Sequence, residues 1–314
     1  MNNVKAMQPV YLDNESWVNT IKRDWQLYLM LAPALIWFLI FMYQPLSGLQ
    51  IAFTQFSAFK GVEGSPWVGF EHFITLFEND QFLRAIRNTL LISAYSLVLA
   101  FPVPILLALM INEVQSKGIR KTVQTVVYLP HFVSAVIVAG IVVALLSPSS
   151  GLVNNILRIL GVDEVYFLTR PEWFRTIYIG SGIWKEAGFD SIIYLAAIMG
   201  INPALYESAQ IDGASRWQMI WRVTVPCILP TIAVLLVIRL GNVLDVGFEY
   251  IVLLYQPTTY DTADVISTYI YRVGLQNAKY DIAAAAGIFN AVVAFVLVMA
   301  ANKISRRFTR TGVF

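Results

Sequence analysis

Residues 206–226 read YESAQIDGASRWQMIWRVTVP. This amphipathic stretch carries charges of both signs. It lies between IWKEAGFDSIIYLAAIMGI and CILPTIAVLLVIRLGNVL, both apolar enough to enter a bilayer. A surface loop needs no such apolar content; a docking element does. The chain around it has 314 residues, is 57% hydrophobic and only 13% charged, and has a mean hydropathy of +0.63. A soluble domain has roughly a quarter of its residues charged. Apolar runs of spanning length recur, so the composition predicts a polytopic, all-α membrane protein. The single cysteine, Cys227, cannot form an intrachain disulfide. The opening residues are polar, no cleavable signal is visible, and nothing reads as a nucleic-acid module.

Six helical spans are predicted, over Leu27–Tyr43, Ala85–Asn112, Thr122–Leu146, Ile177–Gly200, Val225–Val252 and Ala283–Asn302. Pro33, Pro102, Pro104, Pro130 and Pro230 should kink them or mark their ends. An even number of spans puts both termini on one side. That side carries Lys5, Lys22, Arg23, Lys117, Lys121 and Arg222 among other cations, and the opposite loops carry an acidic excess. The positive-inside rule makes the termini cytoplasmic. The organisation is then a cytoplasmic segment 1–26, a permease domain 27–302 and a basic tail 303–314. Asn14–Trp25 reads either as a short interfacial helix or as plain tail.

Within the polar stretch, Asn202 can cap a helix that opens at Pro203 and runs to Ile211. Gly213 can take a positive φ and turn the chain. Ser215 can cap a second helix, Arg216–Val223, before Pro226 opens the fifth span. The result is a helix–turn–helix elbow over 203–224 with exposed apolar and charged groups. Glu207-Ser208-Ala209, then Gly213, then Val223-Thr224-Val225-Pro226 match, at every spacing, the EAA signature of importer permeases of the ATP-binding-cassette superfamily. Ser208, Val223 and Val225 are conservative departures from it. The chain therefore resembles a binding-protein-dependent permease subunit with the type I importer fold. The run Ala209–Trp217 is similar to the carbohydrate branch. Asp24–Tyr28, Gly48–Phe53 and Thr262–Leu275 are similar to permeases for polysaccharide fragments and complex oligosaccharides, the alginate importer's larger permease subunit among them.

That resemblance implies an importer of oligosaccharides, acidic ones such as alginate fragments included, in a bacterial inner membrane. It implies that the elbow is a cytoplasmic coupling helix seated on an ATPase subunit, with Glu207 as polar anchor, Gly213 allowing the bend, and Ser208, Ala209, Asp212 and Arg216 around them. The implied partners are two ATP-binding-cassette ATPases, a second permease subunit, an extracytoplasmic sugar-binding protein and the lipid bilayer. The chain has no G-x-x-x-x-G-K-[ST] stretch, so ATP and Mg are expected on the partner ATPases and no cofactor on this chain.

Ionisable residues inside spans are costly and usually face a cavity or a partner. The fourth span holds Lys185, Glu186 and Asp190 beside Trp184; the fifth holds Arg239, Asn242, Asp245 and Glu249. Helical spacing puts Glu186 with Asp190 on one face, and Asn242, Asp245 and Glu249 on another. These eight residues either line a sugar path, with Phe189, Tyr194, Phe248 and Tyr250 as stacking rings, or pair internally to hold the bundle. His72 and His131, the only histidines, do not suggest a metal site; His131, beside Pro130, reads as a packing donor. Trp67, Phe70 and Phe73 are expected to pack an outer loop. An intramembrane enzyme would need a nucleophile–base pair that is not visible. A secondary transporter would show repeated halves, and would leave the elbow unexplained.

Overall fold

The computed structural model describes residues 21–242 and 244–309. The chain divides into two units, one ending at Gln50 and one beginning at Ile51. The helix Trp25–Phe53 makes up nearly all that is described of the first; it bears no charged residue, and its Trp25–Phe38 part has no buried residue. Most of the interfacial helix expected over Asn14–Trp25 falls outside the described residues; Ile21–Arg23 are helical.

The second unit is helical. Asp80–Glu113, Arg216–Gly241 and Tyr280–Ala300 are each long and apolar enough to span a bilayer. Two bent pairs bring the number of candidate spans to six if each pair is one span: Lys117–Phe132 with Ala135–Leu146, and Pro171–Met199 with Pro203–Ile211. Short helices lie between the spans at Glu71–Glu78 and Leu152–Ile159. Trp67 and Phe70 pack on Phe53, with centroid separations of 5.5 Å each, and Phe73 at 5.4 Å.

Two spans differ from the sequence expectation. The third is not one helix over Thr122–Leu146: its halves meet at 101°. Pro130 tightens the chain into a 3₁₀ turn, Val133 is extended, and Ser134 caps a new helix by accepting from the Ile137 amide at 3.4 Å. The fifth does not reach Val252. It ends at Gly241, residues 244–247 are not helical, Gly247 has φ 61°, and a separate helix runs Phe248–Leu254. Asn242, Asp245 and Glu249 therefore do not share a helical face. A glycine-asparagine helix end and a left-handed glycine override the apolar run that suggested continuity.

Apolar surface gains nothing by leaving lipid for another helix, so close packing and polar contacts must hold the spans together. Both are present. A Cβ on Gly188 would collide with the Val127 carbonyl, so Lys117–Phe132 lies backbone to backbone against Pro171–Met199. At the end of the bundle remote from the elbow, a buried polar node joins three elements. Asn88 donates to the Asp264 and Asp261 carbonyls at 2.9 and 3.0 Å and accepts from Arg175 at 2.9 Å. Asp264, fully buried, takes two bonds from Arg272 at 2.8 and 2.6 Å and one from Thr268 at 2.8 Å. These bonds raise the Arg272 guanidinium further above its ordinary range, so that partner stays charged. Removing one partner of such a pair strands a buried charge. Arg272→Met should lower the stability of the purified protein by about 3–5 kcal/mol in thermal unfolding, and Asp264→Asn on the same chain should recover part of that loss.

Candidate functional site

Two adjoining cavities of about 320 and 600 Å³ open between the second, fourth and fifth spans. Both are lined by Ser96, Tyr178, Asp190, Arg239 and Asp245, so they are lobes of one chamber. Pro102 has no amide hydrogen to donate to the preceding turn. There the second span widens into a π turn over Ser96–Ala100, closed by the Phe101 amide on the Ser96 carbonyl at 3.2 Å. The opposite wall includes Asp245, Val246 and Gly247, just before the Phe248–Leu254 helix. Tyr178 donates its hydroxyl to the Val246 carbonyl at 2.5 Å, which ties that wall to the fourth span. A Cβ on Gly247 would stand 2.9 Å from the same hydroxyl.

Of the eight predicted residues, Lys185, Glu186 and Glu249 line the larger lobe, Asn242 the smaller one, and Asp190, Arg239 and Asp245 both. Trp184 lies on the same helix as Lys185 but lines neither lobe and is half exposed. Among the aromatic candidates, Phe248 and Tyr250 line the larger lobe and Tyr194 the smaller. Phe189 stacks instead on the His131 ring, 3.8 Å between centroids and 4° from parallel.

The internal pairing read among these residues is present at Lys185 and Glu186, with His131 as a further partner. Glu186 is held by its neighbour Lys185 on one oxygen and by His131 Nδ1, at 2.6 Å, on the other. His131 sits on the 3₁₀ turn that breaks the third span, so this cluster fastens the break to the fourth span. The local signal was available, since Pro130-His131 stands four residues before a helix-capping serine; its partner lies 55 positions away. His72 belongs elsewhere, with its Nε2 at 3.0 Å from the Thr54 carbonyl.

The elbow agrees with its sequence reading in detail. Asn202 accepts from the Ala204 amide at 3.0 Å, Pro203 opens a helix ending at Ile211, and Gly213 has φ 74°. Ser215 and Gln218 form a reciprocal capping box. The second helix does not stop before Pro226; it runs without a break from Arg216 to Gly241. Tyr206 and Thr224 join the two limbs through their hydroxyls at 2.9 Å, and Ile220 is buried in a core with Ile111, Leu195 and Ile228. With its amide turned, Gln115 accepts from the Arg216 guanidinium. Glu207, Ser208, Asp212, Gly213 and Arg216 are exposed, Ala209 half-buried. Leu205, Ile211, Trp217 and Trp221 are exposed with them.

Up to six spans, a polar chamber and an exposed elbow are features that a membrane permease needs. The chain belongs to the family of binding-protein-dependent transport system inner membrane components, whose model matches residues 100–311. It is thus a non-catalytic, multi-pass permease subunit of an ATP-binding-cassette transporter. It is 44% identical over 288 residues to the polygalacturonan/rhamnogalacturonan transport system permease protein YteP of Bacillus subtilis (strain 168), covering 92% of this chain and 90% of that one. It is 40% identical over 299 residues to protein LplB of the same organism, covering 95% and 94%. Among solved structures it is 70% identical, with a TM-score of 0.89, to a chain of a bacterial ABC transporter involved in the import of the acidic polysaccharide alginate; the match covers 94% of this chain and 100% of that one. The same identity and score hold for a structure of the bacterial alginate transporter in complex with an alginate pentasaccharide-bound periplasmic protein.

Gly247→Ala would force a side chain into the left-handed region and against Tyr178. It should cost about 1–3 kcal/mol locally and reduce transport while the chain still inserts. Transport assays beside membrane-fraction immunoblots check this; wild-type transport in the variant would show that the 244–247 segment tolerates the shift.

Proposed function

We propose that the chain forms one half of the translocation pore of an ATP-driven importer for oligosaccharides that contain uronic acids. The observation that carries this reading is the 70% identity to a chain of the alginate importer. The 44% identity to a permease named for polygalacturonan and rhamnogalacturonan supports the same substrate chemistry, because these polymers share sugar rings bearing carboxyl groups. The second half of the pore would be a homologous permease. The chamber supports this, since Arg239, Asn242, Asp245 and Glu249 are exposed and await a facing wall.

In this reading the elbow lies on the cytoplasmic side with both termini, in keeping with the cations clustered there. Glu207 and the apolar groups of the elbow seat it on one of two ATPase subunits, which bind ATP and Mg. A sugar-binding protein delivers substrate from the other side. Closure of the ATPases brings the two elbows together and switches the chamber from one side to the other. Asp190, Arg239, Asn242, Asp245 and Glu249 form part of the path, and the Lys185–Glu186–His131 cluster, on the wall of the larger lobe, holds the bundle together.

The test is to purify the tagged chain from its own membranes in mild detergent. Two ATPases and a second permease should remain bound, and Glu207→Arg should release the ATPases and abolish ATP-dependent uptake. A chain that purifies alone and transports sugar into vesicles without ATP would overturn the proposal.

A further inference from the structure

The chamber wall carries two lysine or arginine side chains, Lys185 and Arg239, against four carboxylates, Glu186, Asp190, Asp245 and Glu249. For an acidic substrate this half-chamber is repulsive on balance, so the point where a substrate carboxylate can rest is tightly restricted. Lys185 is engaged with Glu186, as is His131. The Arg239 guanidinium makes no direct hydrogen bond and no ion pair with the side chain of any described residue, although its charge acts on Asp190; Arg239 is exposed and lines both lobes. It stands near the end of the fifth span, two residues before Gly241. A guanidinium presents a planar fork of donors that matches a carboxylate with two parallel bonds, and it keeps its charge at every working pH.

We infer that Arg239 is the carboxylate subsite of the chamber: it holds the carboxyl group of one uronic acid ring, while Asp190 and Asp245, which share both lobes with it, accept hydrogen bonds from ring hydroxyls. This rests on the uronate reading of the substrate. The acidic residues then have a use that does not conflict with an acidic cargo. They bind the neutral face of the sugar and repel its charge from every place but one. Glu249, in the larger lobe only, keeps the carboxylate from sliding away from Arg239.

The competing role for Arg239 is that of a counter-ion for Asp190 and Asp245, and the experiment separates the two. The importer is reconstituted in liposomes with its own binding protein and ATPases, and uptake of an alginate-derived oligouronate is measured. The chains are wild type, Arg239→Gln, Arg239→Lys, and Arg239→Gln with Asp245→Asn. Loss of a charge-assisted pair should reduce uptake by roughly tenfold or more in Arg239→Gln. The double variant restores the local charge balance and should stay equally impaired. Arg239→Lys keeps the charge but loses the fork, and should fall between, with a stronger loss at high salt. If the double variant recovers to wild-type uptake, or if neither single variant differs from wild type, the subsite assignment is overturned. Should Arg239→Gln fail to assemble, Arg239→Lys alone decides: undiminished uptake overturns the assignment. Wild-type complex that imports no oligouronate would instead remove the substrate reading on which the inference stands.

Discussion

A helix that stops inside a bilayer leaves amides and carbonyls with no water to take them, and each one must find a partner in the protein. That constraint shapes the functional half of this molecule. The third span breaks at Val133, and the fifth stops at Gly241. At the first break the Pro130 carbonyl accepts from the Val133 amide at 3.1 Å, and Ser134 caps the helix that follows. At the second, the Asp245 amide donates to the Asn242 carbonyl at 3.0 Å, and the Val246 carbonyl takes the Tyr178 hydroxyl. The fourth span is the common support: it supplies Tyr178 to one break and Glu186 to the other. An irregular backbone is tolerated here because one long helix, Pro171–Met199, lies beside both irregularities.

The two ends of the bundle are held by different means. Toward the elbow the packing is apolar, with Ile111, Leu195, Ile198, Ile220 and Ile228 in one cluster. At the opposite end the Asn88–Asp264–Arg272 node puts hydrogen bonds where lipid-facing packing offers little net attraction. The chamber lies between, where neither kind of packing fills the space. Its polar side chains line a cavity instead of a core, and among them Lys185 and Glu186 are tied down together with His131.

Much of this was legible in the sequence, and the reason differs from part to part. The elbow could be read down to its caps because Asn202, Pro203, Gly213 and Ser215 each act through backbone preferences that need no tertiary partner. The charged lining of the chamber was legible because ionisable residues in apolar runs are too costly to be placed without a use. A kink at Pro130 was read, though not a reversal as sharp as the one that Ser134 completes; the stop at Gly241-Asn242 with Gly247, which are ordinary signals for one, was not. Hydropathy sums composition over a window and passes over a reversal of direction inside an apolar run. The pairing of His131 with Glu186, and of Arg272 with Asp264 beneath Asn88, arises only when distant elements meet, and no local spacing announces it.

The helix that begins at Arg216 in the elbow does not end until Gly241, two residues past Arg239. At about 1.5 Å per residue, some 35 Å of continuous backbone separates the two arginines. One end is the exposed elbow and the other is a wall of the chamber. In the proposed importer a rod of this kind would make docking and substrate binding thermodynamically reciprocal: whatever free energy an occupied chamber lent to seating the elbow, a seated elbow would return to the chamber. The π turn at Ile220–Thr224 and the proline at 230 set where the rod can flex, and so how much of that exchange is lost on the way.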